Sequence, residues 1–181
     1  MLYLRLDPGT IMSAETLKEK KADLAGMFDE YYGRIARYAY ARTGDRASSE
    51  DIASEVFVKA LKALPSYRER GLPMGAWLFR IARNLVVDFL RQRSKKQTVP
   101  LEGLDLPSGA DPEHVAETRL EMERVERAMK ALTPAQQEVI RLRFLAELSS
   151  KETASVLKKS DGSVREMQST AVARLKQLLA E

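Results

Sequence analysis

Apolar residues recur at steps of three and four along almost the whole chain, and no segment alternates as a half-buried strand does. The first stripe lies on a helix predicted over residues 21–43 and consists of Leu24, Met27, Phe28, Tyr31, Ile35 and Tyr38. The second consists of Ile52, Val56, Phe57, Ala60 and Leu64. The third consists of Trp77, Leu78, Ile81, Ala82, Leu85 and Phe89. This spacing predicts an all-α protein.

Helix start and stop signals separate these stripes. Gly44 is a C-terminal stop for the first helix, because glycine readily adopts the left-handed conformation that ends helices. Ser48 or Ser49 is predicted to cap the second helix, and Pro65 ends it. A loop then leads to a third helix that begins near Trp77.

Turn-forming residues cluster over residues 98–112, and the charge changes sign at the same place. The segment Arg68–Lys96 holds eight basic and two acidic residues, whereas Thr98–Glu126 holds two basic and eight acidic residues. We therefore predict two small helical domains joined by a flexible linker. The predicted boundaries are an N-terminal extension 1–22, a first domain 23–96, a linker 97–116 and a second domain 117–181.

Composition excludes several classes of site. The chain has no cysteine and one histidine, so it contains no disulfide, no cysteine-type zinc site and no thiol nucleophile. No glycine-rich phosphate loop or nucleophile–base pair is present, so we expect neither catalysis nor a cofactor. No apolar run is long enough to cross a bilayer, and residues 1–12 do not resemble a signal peptide. We expect a cytoplasmic protein that starts at Met1 or Met12, and its net charge of +4 favours a polyanionic partner.

The C-terminal region has the spacing of a helix-turn-helix, with a short helix over 150–157, a turn at 158–160 and a longer helix from 161. Capping boxes are predicted at Thr133 with Gln136 and at Ser149 with Glu152, and Ser160 is predicted to cap the last helix. Lys158 occupies the turn position at which glycine is usual. A plain helical hairpin with a solvated charged face fits the same spacing.

The last helix would enter a DNA major groove by its N-terminal turns. Arginine bonds guanine edges, and glutamate accepts from cytosine. Lys158 and Lys176 would meet phosphates. The residues predicted to contact DNA here are Lys159, Ser160, Ser163, Arg165, Glu166, Gln168, Ser169 and Arg174.

The third helix has a polar, basic side opposite its apolar stripe. Arginines and aromatic rings together suit single-stranded DNA, because phosphates pair with the cations and unstacked bases stack on the rings. The candidate residues are Tyr67, Arg68, Arg70, Arg80, Arg83, Asn84, Asp88 and Arg91. Three simpler interpretations fit as well: Trp77 as a core residue, a solvated basic face, and an intrahelical ion pair between Asp88 and Arg91.

In combination, these motifs resemble the extracytoplasmic-function (ECF) subfamily of the sigma-70 family. Residues 23–95 are similar to sigma region 2, and residues 117–180 are similar to sigma region 4. In region 2, the motif is matched by Trp77, Leu78, Ile81, Ala82, Arg83, Asn84, Asp88 and Arg91, and more loosely by Glu50, Asp51, Ile52, Glu55, Phe57 and Ala60. In region 4, it is matched by Leu132, Pro134, Gln137, Val139, Leu142, Arg143, Gly162, Ser163, Val164 and Arg165.

The resemblance implies an initiation factor that binds core RNA polymerase through the beta-prime clamp helices and the beta flap. It implies that the basic helix binds and melts the promoter −10 element by capturing a flipped base, that the helix-turn-helix reads the −35 element, and that an anti-sigma factor is a further partner. The implied polymerase-binding residues are Asp51, Ile52, Glu55, Val56 and Lys59, with Ser54 where the family usually has Gln.

Two other classes stay open on the residues alone. A stand-alone helix-turn-helix repressor or activator would use the N-terminal domain for dimerisation or ligand sensing. A helical interaction protein would have no DNA role.

Overall fold

The computed structural model describes residues 14–68, 73–96 and 112–180, which form seven α-helices without a strand. The all-α prediction is confirmed for these residues. The helices are α1 (Ala14–Thr43), α2 (Arg46–Ala63), α3 (Met74–Lys96), α4 (Pro112–Lys130), α5 (Pro134–Ile140), α6 (Ser150–Leu157) and α7 (Asp161–Ala180). None of these helices is long and apolar enough to cross a bilayer.

Helices α1, α2 and α3 pack on one another around a common apolar core. The predicted stripe of α2 is confirmed, because Ile52, Val56, Phe57, Ala60 and Leu64 are all buried. The predicted apolar stripe of α3 does not coincide with the centre of the side of the helix that is buried. Phe79 and Val86 are fully buried but were not expected, whereas Trp77 is only partly buried. Helix α3 touches α6 as well as α1 and α2, so its buried side is wider than one stripe.

Helix α1 begins seven residues before the predicted start at residue 21, and tertiary contacts explain the extension. Leu17 packs against the core of the bundle, and the Lys20 ammonium donates to the Tyr67 carbonyl at 2.8 Å. At the other end, Gly44 has φ of 67°, so the predicted glycine stop is confirmed.

The predicted cap of α2 is wrong. Asp45 is the N-cap, and its carboxylate accepts from the Ser48 backbone N–H at 2.8 Å. Hydrogen bonding from Ser48 holds the pKa of Asp45 below its usual range. Ser49 is buried instead, and its hydroxyl lies 2.9 Å from that of Thr43. All three candidates favour caps, and the turn after Gly44 places Asp45 at the position where the first free N–H groups point.

Residues 112–116 of the expected linker form the start of α4. The rest of that linker, residues 97–111, lies outside the described residues. Helix α5 starts at the predicted capping box of Thr133 and Gln136. It continues into a π-helical segment, Arg141–Leu145, in which the Ala146 N–H donates to the Arg141 carbonyl at 3.0 Å.

The two halves touch through α6 and the π-helical segment, which lie against α3 and α1 respectively. Leu142, Ala146, Leu148 and Val156 of the C-terminal half are buried in the same apolar cluster as the α1–α3 bundle. The rest of the buried apolar residues of the C-terminal half form two smaller clusters, one around Ala171 and one around Val164.

Gly75 allows α3 to approach α1 closely, which gives a stability prediction. A Cβ atom at this position would lie 2.6 Å from Cε1 and Cζ of Tyr31. We expect Gly75→Ala to lower the free energy of unfolding by about 1–3 kcal/mol, because the ring must move within a packed interface. Thermal or urea unfolding followed by circular dichroism measures the change.

Gly26 provides the matched control, because nothing lies within 4 Å of a Cβ atom at its position in α1. Gly26→Ala should stabilise the protein by up to about 1 kcal/mol through helix propensity alone. Equal effects of the two substitutions would contradict the proposed close approach.

Candidate nucleic-acid interface

Helices α6 and α7 form the predicted helix-turn-helix with the predicted boundaries and caps. The Ser149 hydroxyl accepts from the Glu152 N–H at 3.2 Å, and the Glu152 carboxylate accepts from the Ser149 N–H at 2.8 Å. The Ser160 hydroxyl accepts from the Ser163 N–H at 3.1 Å, at the start of α7. Val164 fixes the angle between the helices by packing against residues of α5 and α6.

The turn between these helices contains a strained residue. Lys158 adopts the left-handed conformation, with φ of 54° and ψ of 46°, at the position where a glycine was expected. Its N–H donates to the Ala154 carbonyl, which closes the end of α6. The lysine side chain is exposed, so the backbone conformation alone carries the strain.

An open groove runs between α7 and the start of α6, and its charge is positive. Its lining contains three cationic side chains and no carboxylate. The lining residues are Arg143, Ser150, Arg165, Gln168, Ser169, Val172, Ala173 and Lys176. A concave surface with this charge attracts phosphate, and the hydroxyl and amide groups add hydrogen-bonding capacity.

The groove contains only some of the residues predicted for this surface. Arg165, Gln168 and Ser169 line it. The other five lie outside it, at exposed or half-exposed positions: Lys159, Ser160, Ser163, Glu166 and Arg174. Arg143 and Ser150 line the groove but were not predicted to contact DNA. The π-helical segment changes the helix register at Arg143, so simple periodicity could not place its side chain there.

Contacts within the protein already orient the groove side chains. Arg143 donates to the Gln168 side-chain oxygen at 2.7 Å and to the Leu148 carbonyl. Arg165 is exposed and pairs with Asp161 at 2.7 Å, one turn earlier on α7. A hydrogen bond with Ser150 and the nearby Arg165 charge lower the pKa of Asp161, which keeps it ionised. Arg165 therefore has to exchange a carboxylate for any DNA group it binds.

The basic side of α3 divides into two parts. Asn84 and Arg91 are exposed, and Arg91 forms the intrahelical ion pair with Asp88 at 3.3 Å. Arg80 and Arg83 instead face the C-terminal half. The Arg80 guanidinium donates to the Ser155 carbonyl at 2.8 Å, and Arg83 lies 3.4 Å from the Glu138 carboxylate.

The segment before α3 contains the least accessible predicted DNA contact. Tyr67 is 7% exposed as a residue, and its ring lies 4.6 Å from the Trp77 ring, centroid to centroid. A ring in this position supports the α3 helix and has no face open to a base. Arg68 is exposed and donates to the Pro65 and Tyr67 carbonyls, and Arg70 lies outside the described residues.

The exposed side of α2 carries the charged residues that the resemblance assigned to polymerase binding. Asp51, Glu55 and Lys59 are exposed, and Glu55 lies 3.9 Å from Lys59. Ile52 and Val56, which the resemblance assigned to the same surface, are buried in the bundle. Two apolar residues missed by sequence reasoning lie exposed on the same helix, Val58 and Leu61.

No group of acidic or histidine residues in the described part of the chain has the arrangement of a metal site. A helix-turn-helix beside a bundle with arginines on one face is typical of a DNA-binding protein that uses two surfaces.

Comparison with known proteins matches each half of the chain to a family model. Residues 27–96 match the family model described as Sigma-70 region 2, and residues 128–177 match Sigma-70, region 4. The chain is 37% identical over 170 residues to the ECF RNA polymerase sigma factor BldN of Streptomyces coelicolor, covering 92% of this chain and 64% of BldN. It is 36% identical to the ECF RNA polymerase sigma factor SigD of Mycobacterium tuberculosis, covering 78% and 70%.

Solved structures agree on the fold. CnrH in complex with the cytosolic domain of CnrY superposes with a TM-score of 0.63 at 24% identity, covering 92% of this chain and 94% of CnrH. The sigma factor RpoE of Bartonella quintana, in complex with the anti-sigma factor NepR, gives 0.63 at 22% identity, covering 90% and 98%.

The two matched regions and their order define a promoter-specific transcription initiation factor that works with bacterial RNA polymerase. The chain belongs to the sigma-70 family, and its relatives are ECF sigma factors. The family acts by regulation rather than by catalysis. We use region 2 for the α1–α3 bundle and region 4 for α4–α7 from here on.

The strained turn gives a second prediction. Lys158→Gly should raise the free energy of unfolding by about 1 kcal/mol, because glycine adopts the left-handed conformation without a steric penalty. Lys159→Gly is the matched control: it removes the same charge one residue later, where φ is not positive. Thermal unfolding of both variants at equal ionic strength measures the two changes in the free energy of unfolding. A larger increase for Lys159→Gly than for Lys158→Gly would contradict backbone strain at Lys158.

Proposed function

We propose that this protein directs core RNA polymerase to promoters by reading a −35 element with region 4 and opening a −10 element with region 2, in the cytoplasm. The observation that carries this proposal is the cationic groove on the recognition helix, next to a region 2 whose basic helix matches the family motif. The two surfaces have different chemistry, as recognition of duplex and of single-stranded DNA requires.

For the −35 element, α7 would lie in the major groove of duplex DNA. Arg165 and Ser169 lie one turn apart on the groove side of α7 and would reach base edges. Arg143 and Lys176, which also line this groove, would bind phosphates and fix the register.

For the −10 element, α3 would hold the opened strand. Asn84 and Arg91 are available on its exposed side, and Arg80 and Arg83 would join them once region 4 moves away. Arg68 would extend the cationic path along the preceding segment, and we propose Arg70 as a further contact on its sequence alone. The energy of unstacking a base is a few kcal/mol, and binding of the captured base would offset it.

The exposed side of α2 would bind the polymerase. Asp51, Glu55 and Lys59 supply the charged contacts, and Val58, which is 43% exposed, supplies an apolar one among them. A mixed surface of this kind is typical of protein interfaces with an apolar centre and a polar rim.

We also propose that an anti-sigma protein controls this chain. RpoE of Bartonella quintana, which shares the fold, was solved with the anti-sigma factor NepR, and this supports the proposal. Co-purification from the native organism would identify the inhibitor.

Run-off transcription distinguishes the proposed role from that of a stand-alone repressor. Core polymerase plus this protein should start RNA at a defined set of genomic promoters, and core polymerase alone should not. Tight, sequence-specific duplex binding by the isolated protein, without promoter-dependent initiation, would favour the repressor instead.

The polymerase surface can be tested by the double substitution Asp51→Ala and Glu55→Ala. Because both side chains are exposed, the fold should be unaffected, while affinity for core polymerase should fall about tenfold or more. Glu121→Ala with Glu126→Ala removes the same charge from exposed positions of α4 and should leave affinity unchanged. Equal affinity of both double variants would reject the assignment.

The −35 assignment can be tested with Arg165→Ala. It should weaken promoter binding by ~1–3 kcal/mol and relax the preference at one base position. Arg174→Ala, an exposed arginine of α7 outside the groove, should weaken binding of all sequences equally. Binding-site selection with reconstituted holoenzyme measures both, and an unchanged preference in Arg165→Ala would count against base reading.

A further inference from the structure

Gln168 of α7 lies in the cationic groove with its amide turned toward an arginine. The Arg143 Nε–H donates to the Gln168 side-chain oxygen at 2.7 Å, although the two residues are 25 positions apart in the sequence. A guanidinium has donors and no acceptor, so the group that it meets has to be the oxygen of the amide and not the nitrogen. The direction in which the Gln168 amide points is therefore fixed by the chemistry of its partner.

Arg143 is itself held by the backbone at the start of the helix-turn-helix. Its Nη1–H donates to the Leu148 carbonyl, just before the N-cap residue of α6. The Leu148 N–H in turn donates to the Leu142 carbonyl at 3.0 Å. A guanidinium carries several N–H groups in one plane, so these contacts leave donors for the DNA phosphate proposed above. Arg143 can therefore bind DNA and orient Gln168 at the same time.

The contact with Arg143 leaves the amide nitrogen as the group that Gln168 presents to a ligand. Among the described residues, the bond from Arg143 is the one hydrogen bond of the Gln168 side chain, and Gln168 lines the open groove. A freely rotating glutamine reads adenine with both ends of its amide, because the oxygen accepts from N6 and the nitrogen donates to N7. With its oxygen turned toward Arg143, Gln168 offers a donor and cannot make this paired contact.

Base edges in the major groove respond differently to such a donor. Guanine presents O6 beside N7 and thymine presents O4, so both of these keto bases accept a hydrogen bond. Adenine and cytosine present amino groups, N6 and N4, so a donor that approaches them meets another donor. The neighbouring Ser169 hydroxyl both donates and accepts, so it does not distinguish the two kinds of base. At this point of α7, discrimination between keto and amino bases therefore depends on Gln168.

We propose that Gln168 selects a keto base, guanine or thymine, at one position of the −35 element, and that Arg143 is the positioning residue that turns the amide nitrogen toward that base. This inference rests on the proposed function, because it assigns a base preference to the surface that would read the −35 element. It gives Arg143 a role in specificity in addition to its contact with a phosphate.

Binding-site selection with reconstituted holoenzyme measures the preference. At one position of one strand, the wild-type protein should enrich guanine and thymine over adenine and cytosine by about three- to tenfold, the range expected for one hydrogen bond. Gln168→Glu should invert the preference at the same position. One carboxylate oxygen would still accept from Arg143, and the other would accept from an amino group of cytosine or adenine.

Gln177→Glu is the matched control for the added negative charge. Gln177 is exposed on α7 and lies outside the groove lining. Repulsion from DNA phosphates should lower the affinity of both variants for all sequences, but the base preference of Gln177→Glu should equal that of the wild-type protein.

Arg143→Met tests the positioning role. Without the guanidinium, the Gln168 amide can turn and offer both of its groups, so the preference at that position should move to adenine. Affinity for all sequences should also fall, because a phosphate contact is lost. Lys176→Met is the matched control, since Lys176 lines the same groove and has no hydrogen bond with Gln168 among the described contacts. It should lower the affinity for all sequences and keep the keto preference.

The hydrogen bond between Arg143 and Gln168 can be tested in the free protein, without polymerase or DNA. In nuclear magnetic resonance spectra, the Arg143 Nε–H resonance should move in Gln168→Met, which keeps the length of the side chain but removes the oxygen. Ser169→Ala, at another residue of the groove, should leave that resonance in place. An Arg143 resonance that is the same in the wild-type protein and in Gln168→Met would overturn the orienting contact.

The base preferences decide whether that contact sets specificity. Circular dichroism first establishes that Gln168→Glu is folded, and Arg143→Met decides the question if it is not. A wild-type preference at every position in Gln168→Glu, or a retained keto preference in Arg143→Met, would overturn the inference. A holoenzyme that starts RNA at promoters with such unchanged preferences contradicts this inference alone, whereas failure to start RNA at any promoter contradicts the proposed function.

Discussion

Tyr38 connects the apolar core of region 2 with the polar contact between the regions. Its ring is fully buried and meets the Phe79 ring edge-on, with centroids 5.9 Å apart and planes at 88°. The ring therefore fixes α1 against α3, the helix that carries the basic surface. Its hydroxyl emerges from that core at Glu138. Any change in the packing of α1 on α3 also moves the hydrogen-bond donor on which the buried carboxylate depends.

In region 4, contacts between residues close in sequence fix the orientation of the helices. Ser149 and Ser160 fix the starts of α6 and α7, and Val164 sets how the helices cross. Side chains on α7 are therefore presented from a rigid element, and Arg143 and Gln168 hold each other in the groove. Specific recognition by such a surface costs little ordering of the protein, because the internal partners already restrict the side chains.

Local signals made much of this structure predictable. The caps at Thr133 and Ser149 use groups three residues apart, and the apolar stripe of α2 follows helical periodicity. Prediction failed where distant residues decide. The burial of Phe79 depends on the Tyr31 and Tyr38 rings of α1. No sequence pattern links Tyr38 with Glu138, which lies 100 residues further on. The family motif in α2 also mixes core with surface, because Ile52 is buried whereas Asp51 and Glu55 are exposed.

The π-helical segment lets one continuous stretch of chain serve two cores. Before it, Val139 and Ile140 point into the interior of region 4, whereas Leu142 and Ala146 after its start join the core of region 2. One extra residue in a helical turn rotates everything that follows by about 100°. A single-residue deletion here would rotate α6 and α7 relative to α5, so it would disturb both the packing of Val139 with Ala154 and Val164 and the contact with region 2. The π-helical segment therefore sets which side of the following chain faces region 2. The contact between the regions depends on the number of residues in this segment as well as on their types.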